Sequence, residues 1–283
     1  HSKYLEELYF QYGRYLLISS SRPGTTPANL QGTWNCYDDS PWSAGYWHNI
    51  NVQMNYWPAF NTNLAEMFEA YAAYNQAYMK LTEQHADRYI RDNYPERLSD
   101  EPGGNGWIIG TGGWLYDVDG MDNNSHSGPG TGAFTSQLFW DYYAFTGDEE
   151  ILRTLTYPVI SSMSKFLSKV LVEQEGAFLT KYSASPEQTQ KINGTDEYIH
   201  TTGCAFDQQM IYENYKKCGA IVSVCAGATV DFLAGNIKRA PRWISQCGLE
   251  WFYRFLKEPR RLFKRYFIDD MGIVKLVWKY RSL

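Results

Sequence analysis

The sequence contains no run of 18 or more apolar residues, so no segment is suited to cross a bilayer as a helix. Its five Cys form no Cys-x-x-Cys pair, which points to neither a zinc cluster nor a disulfide framework and leaves isolated buried thiols as the expectation. No Gly-Lys-Ser/Thr follows the glycines, which removes a phosphate cradle. Asp117, Asp119 and Asp122 share one loop, but the remaining positions of a calcium-binding loop are missing and no metal is expected. With a net charge of −5 the chain has no overall basic excess, and no nucleic-acid partner is expected. It also lacks a charged, apolar leader and begins at His1 inside a helical pattern, which reads as a fragment or a processed chain. Sequons at Asn123 and Asn193 are common by chance and carry little weight.

What is abundant is aromatic surface and a divided charge. Aromatics make up 17% of 283 residues, with 23 Tyr and 10 Trp, which suits sugar stacking and thick helix–helix cores alike. Residues 238–283 carry 12 Lys/Arg against 4 Asp/Glu, while residues 1–237 carry 14 against 27. That split suggests two units with different partners.

Helical periodicity predicts a helix over 3–18, a second from a capping-box-like Asn63/Glu66 to about Ile90, and a third over 133–145. Asp148 is placed to cap a fourth, running to about Val172 with a kink or break at Pro158. Gly176 to Tyr182 reads as a short strand, Ser183 to Glu187 as a Ser-Pro turn, and Phe206 to Lys217 as a helix. Between Glu101 and Gly132 lies a long Gly-rich loop without helical period, and loops of that length are usually functional. Paired helices joined by residue-rich loops predict a mainly α architecture.

The densest chemistry lies between Trp34 and Pro58. His48-Asn-Ile-Asn-Val-Gln-Met-Asn-Tyr-Trp-Pro58 places four amides, an imidazole and two aromatics in eleven residues. Buried amides need partners at every donor and acceptor, whereas a sugar pocket uses amides for the hydroxyl rim and aromatic faces for the ring. Asn49, Asn51, Gln53 and Asn55 alternate with Ile50, Val52 and Met54, which puts the amides on one face of an extended segment. The alternative is a polar turn leading into a helix with solvated amides.

PANLQGTWN at 27–35 and NINVQMNYWP at 49–58 resemble the signature of glycoside hydrolase family 95, the inverting 1,2-α-L-fucosidases, over about the first three quarters of the chain. The resemblance implies a partial (α/α)6 toroid over 1–218 with its site at the loop-bearing end. It further implies a fucosylated glycan as substrate, no cofactor, and a secreted or periplasmic location. Trp34, His48, Asn55 and Trp57 become substrate contacts, with Trp47 standing where the family has a His two positions before its first Asn. Asn49 and Asn51 match the pair that holds the attacking water.

Inverting hydrolysis needs a carboxylic acid for the leaving oxygen and a base for water on the opposite face. Glu187, in SASPEQ, resembles the family's general acid; from the residues alone it reads first as a first-turn acid complementing a helix dipole. The family's base Asp lies in a later region without counterpart here, and a neutral amide cannot take up a proton near pH 7. From about Val222, AGATVDFLAGNIKRAPRWISQCGLEWFYRFLKEPRRLFKRYFIDD resembles the C-terminal part of the WecG/TagA/CpsF glycosyltransferases. That resemblance implies a short α/β-derived helical tail over 219–283, whose basic, aromatic residues 238–283 would meet a membrane surface peripherally. Three functions follow as alternatives: fucoside hydrolysis, sugar binding without catalysis, and a membrane-associated glycosyltransferase. Two joined fragments would leave helices without partners and favour oligomerisation.

Overall fold

A computed structural model describes residues 2–121, 128–174 and 177–218; the predicted glycosyltransferase-like tail, its membrane contact, Asp122 and the Asn123 sequon lie outside the described residues. Among the described residues seven α-helices occur in chain order: α1 (Lys3–Ser20), α2 (Asn51–Asn61), α3 (Glu69–Asn93), α4 (Gly130–Thr146), α5 (Glu149–Ile151), α6 (Tyr157–Val170) and α7 (Ala205–Cys218). Between α6 and α7 stand two antiparallel hairpins, β1 (Leu171–Gln174) with β2 (Ala177–Thr180) and β3 (Ser183–Ile192) with β4 (Thr195–Thr201). The described part is therefore mainly α, as expected, and none of its helices is long and apolar enough to span a membrane.

Helix α4 is the centre. Its first turns, GTGAFTS, carry small side chains that let neighbours approach, and Gly130 to Ser136, Leu138, Phe139 and Tyr142 are all buried. Helices α2, α6 and α7 pack around it. Gly147 ends it in the left-handed region (φ 64°), which glycine reaches without a Cβ penalty. Asp148 then accepts from Glu150 N and Ile151 N, the predicted cap. A π-helical turn, Leu152–Thr156, absorbs the irregularity before Pro158, which sits in the first turn of α6 where no N–H is missed.

Three local expectations are corrected. The capping box does not form: Asn63 adopts φ 58°, Ala65–Phe68 is a 3-10 turn, and α3 starts only at Glu69. The fourth helix stops at Val170, because Leu171–Gln174 pairs with Ala177–Thr180 in register Leu171↔Thr180. Ser183–Glu187 is a strand, not a turn. Asn193-Gly194, at φ 52° and 87°, makes the tight two-residue loop that folds Ile192 against Thr195.

Aromatic side chains fill the core. Tyr56, Phe68, Tyr71 and Phe139 meet at ring separations of 5.2–6.4 Å, mostly tilted or edge-on. The indole of Trp107 is fully buried and donates to Val159 O at 3.0 Å. This contact draws the Gly-rich loop onto α6 so closely that a Cβ on Gly106 (φ 73°) would lie 2.2 Å from Ser162 O. Helix α1 packs through its C-terminal end, whereas Tyr4, Leu5, Leu8, Tyr9 and Phe10 are exposed.

Glycine thus does opposite work at two positions. Gly106→Ala is expected to lower the unfolding free energy by about 2 kcal/mol or more through the clash and the left-handed backbone. Gly13→Ala, in an open position within α1, is expected to raise it by roughly 0.5–1 kcal/mol. Urea unfolding of the two variants checks both signs.

Candidate functional site

The turn His48–Ile50 is placed by backbone pairing with the Gly-rich loop. Tyr46 N donates to Gly113 O (2.8 Å) and His48 N to Thr111 O (2.7 Å), so the two segments run side by side. A Cβ on Gly113 would lie 2.9 Å from His48 Cε1, which is why that loop carries glycine there. Helix α2 begins at Asn51, so the amides do not share one extended face; the structure has the polar turn and helix. The amides are not simply solvated, however. Gln53 is buried, its Nε2 donating to His48 O (2.9 Å) and to Thr135 Oγ1 on α4 (3.1 Å), which ties the turn to the central helix.

Asn49, 9% exposed, donates from Nδ2 to Glu187 Oε1 at 3.0 Å. The structure therefore brings together two predicted site residues 138 positions apart. Glu187 lies where the β3–β4 register shifts, between Ala184 and Thr189, and adopts φ 64°. A Glu in that region is strained by about 1–3 kcal/mol, a cost that persists where surrounding structure fixes it. The irregularity turns its exposed carboxyl to Asn49 instead of along the ladder.

The other predicted residues are distributed differently. His48 is fully buried, its ring beside those of Tyr71 (6.1 Å) and Tyr78 (6.2 Å), and desolvation pushes its basicity down to about 3, so the imidazole is neutral. With no exposed surface it serves as a wall behind Asn49, not as an open contact. Asn55 donates from Nδ2 to Asn29 O (3.1 Å) and holds the 28–29 loop. Together with Trp34, Gln31 and Met54 it lines a cavity of about 430 Å³ that includes neither Asn49 nor Glu187. Asn51 is half-buried at the start of α2; Trp57, 44% exposed, stands edge-on to Phe134 on α4. Asp117 Oδ1 accepts from its neighbour Val118 N (2.9 Å), and among the described residues no group of three His, Cys, Asp or Glu could hold a metal.

Sequence reasoning missed Asp207. In AFDQQM it looks like an ordinary first-turn acid, yet it is fully buried. Its carboxylate accepts from Gly130 N (2.7 Å) and from the Ser183 hydroxyl, with the Cys204 thiol and Ala184 N beside it. Glycine at 128 and 130 is required there, since a Cβ at either would lie within 2.6 Å of the carboxylate. Burial raises its pKa from 3.8 to about 6, and the hydrogen bonds only partly offset this. No spacing betrays this junction, because its partners come from three separate segments. The β3–β4 hairpin, by contrast, was signalled by Asn193-Gly194.

Residues 1–243 match the model of the glycosyl hydrolase family 95 catalytic domain. Alpha-L-fucosidase 2 of Arabidopsis thaliana is 36% identical over 187 residues, 65% of this chain and 21% of that protein. Probable alpha-fucosidase A of Aspergillus niger is 32% identical over 225 residues, 74% of this chain and 25% of that protein. A short stretch of 55 residues, 19% of this chain, is 40% identical to 22% of the N-acetylglucosaminyldiphosphoundecaprenol N-acetyl-beta-D-mannosaminyltransferase of Bacillus subtilis. The chain spans about a fifth to a quarter of the length of the fucosidase relatives.

A folded-state pKa above the unfolded one means that the folded chain holds the Asp207 proton more tightly. Its contribution to stability is full below pH ~4 and is lost as pH rises to about 6. Relative to Asp207→Asn, the wild type is expected to lose roughly 2–3 kcal/mol across that window. Urea unfolding of both proteins at pH 4, 5, 6 and 7 measures it; parallel curves would contradict the assignment.

Proposed function

The chain belongs to glycosyl hydrolase family 95, and from that premise we propose that residues 1–218 form part of an (α/α)6 catalytic domain carrying the acid side of a site that releases α-L-fucose from glycans by inversion. The observation that carries this reading is the 3.0 Å hydrogen bond from Asn49 to Glu187. It joins the two motifs whose resemblance to the family assigned them to one site. The fucosidase names of the relatives support the substrate class.

In this reading Glu187 is the general acid. Asn49 occupies Oε1 and leaves Oε2 to carry the proton to the departing glycosidic oxygen. Inversion requires water to attack from the opposite ring face and to give its proton to a base about 6.5–9.5 Å from the acid. An amide 3.0 Å from Glu187 is on the acid's side; for Asn49 to orient that water, substrate entry must release it from the carboxyl. Asn51, at the head of α2, is the other amide assigned to the water, and Trp57 stays open to a sugar, whereas buried His48 stands behind Asn49 and Trp34 and Asn55 line the separate cavity. The base carboxylate has no counterpart in the quoted motifs.

Sugar binding without turnover is a second reading, favoured by the cavity that Trp34 and Asn55 line away from Glu187. The basic segment 219–283 is proposed as a separate glycosyltransferase-like unit with peripheral membrane contact, supported by the charge split and the short transferase match.

Incubation with a Fucα1,2-galactose oligosaccharide, with fucose measured by chromatography, tests the proposal. Glu187→Gln is expected to lower kcat/KM by about 10²–10⁴-fold. Equal release by the variant would remove Glu187 as the acid, and binding of the oligosaccharide without release by the wild type would favour the second reading.

A further inference from the structure

We infer that Asp207 is a positioning residue for Glu187: its buried carboxylate fixes the start of β3 to the head of α4 and so sets the acid against Asn49. The inference deepens the proposed function and rests on it for the role of Glu187. Asn49 and Glu187 are both referred to α4, by separate ties. On one side Gln53 reaches from His48 O to Thr135 Oγ1. On the other, Asp207 accepts from Gly130 N at 2.7 Å and from the Ser183 hydroxyl, next to Ala184. Ser183 is itself doubly held, accepting from Cys204 N (3.1 Å) and from Thr180 Oγ1 (3.0 Å).

The ladder explains why this end matters. Ser183↔Thr201 and Ala184↔His200 are the last paired residues before the register shift, and pairing resumes only at Thr189. Glu187 lies inside that unpaired stretch with its backbone at φ 64°. Its place is therefore determined by where the two flanks are held, and the Ala184 flank is the one fastened to Asp207. Gly130 N and the Ser183 hydroxyl both donate to this one carboxylate, which asparagine cannot replace, because its NH2 group would face a donor. Displacing a proton donor by about 1 Å is enough to cost on the order of 100-fold in rate.

The test separates positioning from folding by the leaving group. Galactose needs a proton from the acid to depart, whereas fluoride leaves α-L-fucosyl fluoride with much less assistance. Asp207→Asn, and Ser183→Ala should the first not fold, are expected to lower kcat/KM on Fucα1,2-galactose by about 10–100-fold while changing the fluoride less than about threefold. Equal losses on both substrates would overturn the inference. In parallel, the Asn49 side-chain amide signals in 15N NMR spectra are expected to move in Asp207→Asn or Ser183→Ala toward those of Glu187→Gln. Unmoved signals in a folded variant would overturn it independently of turnover. A wild type that cleaves neither substrate would refute the proposed function, and the NMR shift would then decide the positioning claim alone.

Discussion

Helix α4 has little surface left for water, and that constraint shapes most of what surrounds it. A helix buried along Gly130 to Ser136 and again at Leu138, Phe139 and Tyr142 must be covered from several sides, and α2, α6 and α7 do so. Its first N–H groups lack intrahelical partners and cannot be left bare in the interior. The carboxylate of Asp207 meets Gly130 N, and negative charge at a helix N-terminus is favourable. The small residues that open the helix admit that carboxylate, so core and site share one set of residues.

Much of the architecture was legible because periodicity reports burial. The long helices, the Gly-rich loop and the Asp148 cap follow from local sequence, and the mainly α character with them. Boundaries failed where a local signal was overruled by tertiary pairing, as at Leu171, or where a turn signal went unread, as at Asn193-Gly194, taken only as a sequon. In the site, the motifs flagged Asn49 and Glu187, and these two do meet. Period-two alternation misled over 49–55, since a helix starting at Asn51 uses the same residues with different faces. Asp207 could not be found by any local rule, because its environment is assembled from residues at 130, 183 and 204.

Electrostatics in this region follow from burial more than from charge pairs. His48 is neutral because it has no water, and Asp207 holds its proton longer for the same reason. Tyr71 and Tyr78, with hydroxyls 3.0 Å apart, have their ionisation driven upward by burial. A wall of neutral polar groups thus stands behind Asn49.

The distance in sequence between Asn49 and Glu187 also has a kinetic meaning. The β3–β4 hairpin can close by itself in microseconds, because its two-residue turn brings near neighbours together. Docking that hairpin onto the Asn49 turn closes a loop of well over a hundred residues, and such contacts are rewarded only after most of the chain entropy has been given up. The amide–carboxyl pair, 138 positions apart, is therefore a contact whose closure carries a far larger entropy cost than that of the hairpin it fastens.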